Sequence, residues 1–320
     1  GGRLNFKLDE RITKINVMEL NKLKSILKDF DPNVFYNQDL KKKNWFNIGG
    51  KAKIFYKAEK LQDLIKFLKV IDNKENIFVI GAGSNTLITD DTYDGVVIKL
   101  SKNFSRLSLL GKDIIISGSG VLDNTLAKFA LNNGLSGFEF MSCIPGTVGG
   151  GIKMNAGCFG NEFKNILISI QAIDKSGNIS TIPVKNINFE YRKNNLPEDL
   201  IFLSASFKGL KKDPKIIEEE MFRLKTQKDI NQPTKIKTSG STFKNPQKQT
   251  NKKVWELIKE SVSLDTKFGD ACISEKHANF FVNKGNATFK DMKKLIDFVS
   301  ESVFKKTGIS IEKEIKILEN

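Results

Sequence analysis

Two glycine-dense stretches hold the residue types best suited to gripping a large, charged ligand. The first, Gly81-Ala82-Gly83-Ser84-Asn85, follows a short apolar run at residues 77–80 and precedes Leu87-Ile88-Thr89. Its glycines permit a sharp turn with backbone N–H groups exposed. Ser84 and Asn85 add side-chain donors, a combination suited to cradling a pyrophosphate. It is not the dinucleotide fingerprint, because G-x-G is followed by Ser-Asn and no long helix is evident after it. Taken alone, it also reads as an ordinary glycine turn capped by Ser and Asn. The second stretch, Ile144-Pro145-Gly146-Thr147-Val148-Gly149-Gly150-Gly151, runs on to Met154-Asn155-Ala156-Gly157. So many glycines beside apolar residues make a poor core and a poor surface loop. They suit a backbone that must pass close to a flat or charged ligand, with a run of tight turns as the plainer alternative. Two such loops in one chain point to one large cofactor held at two places.

Scarcity excludes other chemistry. His277 is the single histidine, so a multi-histidine metal site is impossible. Cys143, Cys158 and Cys272 have no C-x-x-C spacing, and their odd number cannot be fully paired within the chain. A reducing, cytoplasmic compartment is expected, with no transition metal held by side chains. The 52 Lys+Arg against 37 Asp+Glu give a net charge of +15, which could serve nucleic acid, a membrane surface or an anionic substrate. The lysines are scattered, however, and only Lys41–Lys43 form a run of three. A dispersed basic surface is expected, with no nucleic-acid or membrane partner. No apolar run approaches the roughly 18 residues of a membrane span. The opening residues lack the charged-then-apolar pattern of an export signal, so export is not expected.

The elements that must position these loops follow from hydrophobic spacing. With 320 residues, 39% hydrophobic content and 24 Phe, the chain can bury more than one core. Leu20, Leu23 and Leu27 mark a helix over residues 18–30, and Leu61, Leu64, Ile65 and Leu68 mark another over 61–71. Residues 31–45 read as irregular. Further helices are expected at 123–132, 216–230, 252–261 and 288–306. Strands are expected at 53–58, 77–80, 96–100, 113–117, 200–207, 280–282 and 309–318. The runs 166–173 and 179–184 flank Lys175-Ser176-Gly177-Asn178, a hairpin signal. The polar segment 208–215 is the expected domain boundary, beyond which helices dominate. In the final strand, alternation puts Ile309, Ile311, Ile315 and Ile317 on one face and Glu312 and Glu314 on the other. Either carboxylate could face a cleft.

At this point the residues reach a family. Asn47-Ile48-Gly49-Gly50, Gly81–Asn85 and residues 137–157 together resemble the flavin-binding domain of vanillyl-alcohol-oxidase-like FAD enzymes. Tyr191-Arg192, Gly240-Ser241-Thr242-Phe243-Lys244-Asn245-Pro246, Ser274-Glu275-Lys276-His277-Ala278-Asn279-Phe280 and Ile311-Glu312-Lys313-Glu314 narrow the resemblance. The pattern is similar to that of the UDP-N-acetylenolpyruvoylglucosamine reductases (MurB-type), over roughly residues 35–318. The resemblance implies an α+β protein, with a two-part FAD-binding domain and a C-terminal α+β substrate-binding domain. The expected parts are 18–100 and 101–215 for the flavin unit, 216–308 for the substrate domain, and 309–320 as a strand returning to the cleft. Residues 1–17 are an extension of unknown role.

The resemblance also implies a reaction. NADPH reduces non-covalently bound FAD, which passes hydride to the enolpyruvyl ether of UDP-N-acetylenolpyruvoylglucosamine; a proton then completes the lactyl group of UDP-N-acetylmuramate, a peptidoglycan precursor. His277 lies far downstream of both glycine loops, which excludes a histidyl tether there. The resemblance assigns Arg192, Ser241 and Glu314 to catalysis. Gly81, Ala82, Gly83, Ser84, Asn85, Ile144, Pro145, Gly146, Gly149, Gly150, Asn155 and Ala156 would hold the cofactor, and Tyr191 and Asn245 the substrate.

These roles make physical sense. Charge building on the substrate carboxylate needs cationic, preorganised donors, which Arg192 could supply as a two-pronged contact. Ser241 would donate the proton, a step worth roughly 10²–10⁴-fold. From local sequence alone, Arg192 is a surface arginine after a strand and Ser241 a turn serine, with Ser239 as a decoy. The family pattern selects Glu314 over Glu312 as the partner of Arg192. Lys244 and the basic segment 225–237 could assist with phosphates, and His277 is expected to be structural.

Two residues depart from the pattern. Trp45 stands where Thr is usual, read as a packing change, and Asn194 where Ser is usual, which would weaken support for Arg192. The short span between Arg192 and Ile201 lacks a tyrosine-bearing clamp loop and marks a shorter subclass with a more open cleft. No obligate protein partner is implied. The alternatives are a sugar or lactone oxidase of the same fold, or a basic nucleic-acid-binding protein.

Overall fold

The computed structural model describes residues 19–231 and 240–320. Met18, Ser239 and the 232–237 part of the basic segment lie outside these residues. Three sheet-and-helix modules, each with its own apolar core, meet around the glycine loops.

In the first module, Val34–Asp39 pairs antiparallel with Lys51–Ala58, which runs parallel to Tyr93–Leu100, and that strand runs parallel to Ile77–Val79. The helix Leu61–Ile71 makes the crossover that parallel strands require. It buries Leu64, Phe67, Leu68 and Ile71 on one face, and Phe67 stacks on Tyr56 with ring centroids 4.0 Å apart. The strand Val34–Asp39 occupies a stretch that reads as irregular in sequence. Its polar alternate positions hid the period-two pattern, because this edge strand buries little besides Val34.

The second module is a five-stranded antiparallel sheet in the order Ile179–Pro183, Leu167–Ile173, Ile201–Lys208, Ile114–Gly118, Leu107–Leu110. Leu107–Leu110 was not foreseen; its residues are mostly exposed on the sheet edge. The helix Asp123–Asn132, the turn Glu139–Cys143 and the helix Val148–Met154 cover this unit's core, where Phe138, Phe140, Phe163 and Phe207 interlock. Val148–Met154 corrects the reading of the second glycine stretch as loop alone. Three of its seven residues are glycine, and neighbours press on two of them: a Cβ would lie 2.5 Å from the Phe163 ring at Gly151 and 3.0 Å from Ser119 Cβ at Gly149. The helix Pro214–Asn231 packs on Glu139–Cys143 and on Asp123–Asn132.

In the third module, Lys267–Phe268, Ala271–Ile273 and Phe281–Asn283 form a small antiparallel sheet under the helices Val254–Ser261 and Phe289–Thr307. Phe289–Thr307 begins with a Thr288/Asp291 capping box and ends at left-handed Gly308, sharp signals at both ends. Phe46, Ile48 and Leu87 of the first part of the chain enter this core.

The chain end ties the modules together. Lys316–Leu318 lies parallel to Thr86–Ile88, just after the first glycine loop. Only these three residues of the expected 309–318 strand are a regular strand; the rest is extended, with a single bridge from Lys313 to Phe243. The simple alternation therefore breaks, and Glu312 and Glu314 do not share a fate. Glu312 is 75% exposed, whereas Glu314 is 10% exposed.

Candidate active site

The two glycine loops interlock. Ser84 Oγ donates to the Pro145 carbonyl at 3.2 Å. A Cβ on Gly146 would sit 2.7 Å from Ser84 Oγ, and one on Gly81 would sit 2.7 Å from Thr147 Oγ1. Gly83 is left-handed (φ +72°), and a Cβ there would collide with the Lys43 carbonyl oxygen, so only glycine fits. The backbones can thus approach each other, and any ligand between them, without side chains intervening.

Between the loops lies an open cleft, lined by both of them and by segments from the far end of the chain. Gly81 to Asn85, Ile144, Pro145, Gly146, Gly150 and Ala156 line it, and so do Arg192, Ser241 and Glu314. Three catalytic candidates from distant parts of the chain therefore share one crevice with the glycine loops. A second cleft shares Gly81, Ala82, Thr147, Gly150 and Lys153 with the first and continues past Gly149 toward Lys99, Ser119 and Phe202. A long ligand can pass from one to the other over the glycine junction.

Arg192 sits at the tip of the tight hairpin joining Phe189–Glu190 to Lys193–Asn194, in a left-handed conformation (φ 55°). Its Nε lies 2.8 Å from Glu314 Oε1, Nη2 donates to the Gly157 carbonyl at 3.1 Å, and Nη1 to the Asn155 carbonyl at 3.4 Å. Three of the five guanidinium hydrogens are engaged, which leaves one on each terminal nitrogen for a two-pronged anion contact. Burial pushes the Glu314 carboxyl above its ordinary range, opposed by Arg192 and Lys244. The Glu314 N–H donates to the Thr242 carbonyl at 2.8 Å, so Glu314 and Ser241 come from adjoining backbone.

The Ser274–Phe280 motif explains itself structurally. Phe280 bridges Ser241, and Asn279 accepts from Phe243 N and donates back to its carbonyl, stapling the Ser241 segment in place. His277 Nδ1 accepts from Asn279 N at 3.1 Å and its ring packs on Phe280. It folds this turn and does not line the cleft, in keeping with the structural role expected of it.

Several residues expected to contact ligands also make hydrogen bonds that brace the site. Asn155 is fully buried behind the cleft wall: its amide donates to Glu162 Oε2 and the Glu190 carbonyl, and its oxygen accepts from Lys164 N. Its backbone carbonyl accepts from Arg192 Nη1, so the residue helps to position that guanidinium. The Asn85 amide donates to the Glu314 carbonyl at 2.9 Å, so it anchors the chain end. Asn245 Oδ1 accepts from Val254 N at the start of a helix, and its own N–H donates to Tyr191 OH. Tyr191 in turn lies under the Arg192 guanidinium, 4.9 Å from ring centroid to Cζ. Neither Tyr191 nor Asn245 lines the cleft.

The departures also find their explanation. Asn194 donates to the Ile152 and Lys153 carbonyls and caps the end of the Val148–Met154 helix, so it supports the Arg192 hairpin instead of weakening it. Trp45 is 44% exposed at the cleft lip, not packed into a core.

Sequence reasoning missed Lys153 and Lys316 and reached Lys228 only as one member of the basic segment 225–237; all three face the cleft. Burial, with Lys316 close by, pushes the Lys153 ammonium down to about 8, and burial lowers Lys316 and Lys228 as well. Lys316 could have been found, since it stands two residues beyond Glu314 on an extended chain. Lys153 could not, because its helix was hidden among glycines. These half-buried cations suit an anionic ligand such as a diphosphate. The glycine cradle, the paired clefts and these cations together fit FAD.

Comparison with known proteins decides the family. The model described as "FAD binding domain" matches residues 52–182, and "UDP-N-acetylenolpyruvoylglucosamine reductase, C-terminal domain" matches residues 232–318. The UDP-N-acetylenolpyruvoylglucosamine reductase of Pelagibacter ubique (strain HTCC1062) is 61% identical over 301 residues, covering 94% of this chain and 100% of its own. The chain belongs to the UDP-N-acetylenolpyruvoylglucosamine reductase family. The reductase of Rickettsia akari (strain Hartford) is 45% identical over 285 residues, 88% of this chain and 95% of that protein. The crystal structure of the MurB reductase from Thermus caldophilus superposes with a TM-score of 0.76 at 29% identity, over 89% of this chain and 98% of that one. In this chain, the FAD-binding match takes in both glycine loops, and the C-terminal match takes in Ser241 and Glu314. Arg192 lies between the two matched regions.

Proposed function

We propose that this chain is an NADPH-dependent flavoenzyme that reduces the enolpyruvyl ether of UDP-N-acetylenolpyruvoylglucosamine, yielding UDP-N-acetylmuramate in the cytoplasm. The observation that carries this reading is the convergence of Arg192, Ser241 and Glu314 on the cleft between the two glycine loops. FAD bound without a covalent link between the glycine loops would supply the redox chemistry, by which hydride from NADPH reaches the terminal methylene of the enolpyruvyl group.

The chain's own residues do the rest. Reduction at the methylene leaves negative charge on the neighbouring carbon and its carboxylate. Arg192, fixed by Glu314 and two carbonyl oxygens, offers its two remaining N–H groups to that carboxylate without reorganising. Ser241 delivers its hydroxyl proton to the neighbouring carbon. Glu314, anchored through both its N–H and its carbonyl, holds the guanidinium at the right height. Lys153, Lys228 and Lys316 oppose the phosphates of cofactor and substrate.

Steady-state NADPH oxidation tests the proposal. It should depend on UDP-N-acetylenolpyruvoylglucosamine and consume little oxygen. Oxygen consumption driven by a sugar or lactone, with no response to the enolpyruvyl substrate, would overturn it in favour of an oxidase.

A further inference from the structure

The mechanism uses neither cysteine of the cleft wall. Cys143 ends the turn Glu139–Cys143 and is buried, 3% exposed, while Cys158 sits on Gly157–Cys158, which packs directly on that turn. Both thiols line the same cleft, and Lys228 from the helix Pro214–Asn231 lines it with them. Cys272 stands apart on Ala271–Ile273, its sulfur turned to the Val282 carbonyl. Among the described residues, then, two cysteines from packed segments line one cleft together with a half-buried ammonium.

We propose that Cys143 and Cys158 form a hydroperoxide-sensitive thiol pair, which closes to a disulfide and disarms the cleft. The chemistry balances as follows. The Cys143 thiolate attacks the outer oxygen of the hydroperoxide; the S–O bond forms, the O–O bond breaks, and the leaving oxygen takes up a proton to depart as an alcohol or water. The Cys158 sulfur then attacks the sulfenic sulfur; the S–S bond forms, the S–O bond breaks, and water leaves. Two thiols lose two electrons and two protons in all, and the peroxide is reduced.

The surroundings favour Cys143 as the attacking sulfur. Interaction with Cys158 and Ser142, with the charge of Lys228, holds the Cys143 thiol below the ordinary range, while interaction with Cys143 and burial push Cys158 up. Burial instead raises Cys272, so it should react more slowly. The consequence for the cleft follows from one bond: the carbonyl that receives Arg192 Nη2 belongs to Gly157, next to Cys158. Drawing Cys158 toward Cys143 shifts that carbonyl, and a misplacement near 1 Å costs about a hundredfold in rate.

Holoenzyme treated with hydrogen peroxide, alkylated and digested should yield a peptide pair joined through Cys143 and Cys158. Activity should fall about tenfold to a hundredfold in step with that link, and dithiothreitol should restore it. Cys158→Ser, measured against its own untreated rate, should form no link and lose activity that dithiothreitol does not return. Cys272→Ser should respond like the parent protein. Mapping the parent protein alone also decides the matter. The proposal falls if Cys272 oxidises as fast as Cys143 with no link between 143 and 158, or if Cys158→Ser loses and regains activity as the parent does. The cross-link is read by mass, so its absence is distinguishable from a wrong assignment of the reduced substrate.

Discussion

The arrangement around Arg192 makes one side chain answer to three acceptors at once. Its Nε faces Glu314 while its terminal nitrogens reach two carbonyls. A lysine concentrates its donors on one nitrogen and cannot span them. Arg192→Lys should therefore lower turnover about 10²–10³-fold, the usual cost of a lost charge-stabilising donor, with the folded state retained by circular dichroism. Glu314→Gln removes the charge from a nearly buried partner and should be far more damaging than Glu312→Gln, whose side chain is mostly in solvent near Lys244. Equal effects in steady-state assays would count against the role given to Glu314. These two glutamates mark how far sequence goes at this scale. Alternation placed both on one face, and only the family pattern chose between them. The backbone that separates them is extended but irregular, and its course is set by hydrogen bonds to Asn85, Thr242 and Lys244 from remote segments. The same holds for Asn155 and Asn245: their residue types suit ligand binding, yet neighbours distant in sequence claim their polar atoms.

The Val148–Met154 helix is the element that local propensity describes least well. Glycine is the poorest helix former after proline, about 1 kcal/mol worse than alanine, yet Gly149, Gly150 and Gly151 lie in succession here. Packing decides. Gly151→Ala should destabilise the protein by roughly 1–3 kcal/mol in chemical denaturation, because overpacking against Phe163 outweighs the gain in propensity. A stabilised variant would show that the ring has room to yield. The same helix carries Lys153, whose ammonium is held near 8 against 10.5 in the open chain. Between those values the unfolded state binds the proton and the folded state does not, so stability rises with pH across that window. In FAD-free protein, the melting temperature of the parent should gain on that of Lys153→Met between pH 8 and pH 10. Parallel pH profiles would mean that Lys153 is not strained by burial. Helices with clean apolar faces and sharp caps, such as Leu61–Ile71 and Phe289–Thr307, were legible to within a residue or so. Edge strands such as Leu107–Leu110 were not, since exposed edges carry no buried alternation.

Across the whole molecule, the active cleft belongs to no single module. The glycine loops come from the two sheets at the front of the chain, Ser241 from the third module, and Glu314 from the segment that the pairing of Lys316–Leu318 with Thr86–Ile88 draws back. The fold class and this return were legible through motif order, because the family resemblance spans nearly the full chain. What motif order could not tell is which surfaces meet: the helix Pro214–Asn231 follows the expected boundary in sequence but packs against the second module, and it thereby sends Lys228 into the cleft. Parts so far apart in the chain should therefore act on one flavin. Anaerobic stopped-flow absorbance checks this by following the two half-reactions separately in Ser241→Ala. Bleaching of the flavin by NADPH should proceed at nearly the parental rate. Recovery of colour on adding UDP-N-acetylenolpyruvoylglucosamine should slow by roughly 10²–10⁴-fold, the range for a lost general acid. Equal slowing of both halves, or recovery at the parental rate, would contradict the convergence of Ser241 on the reacting atoms.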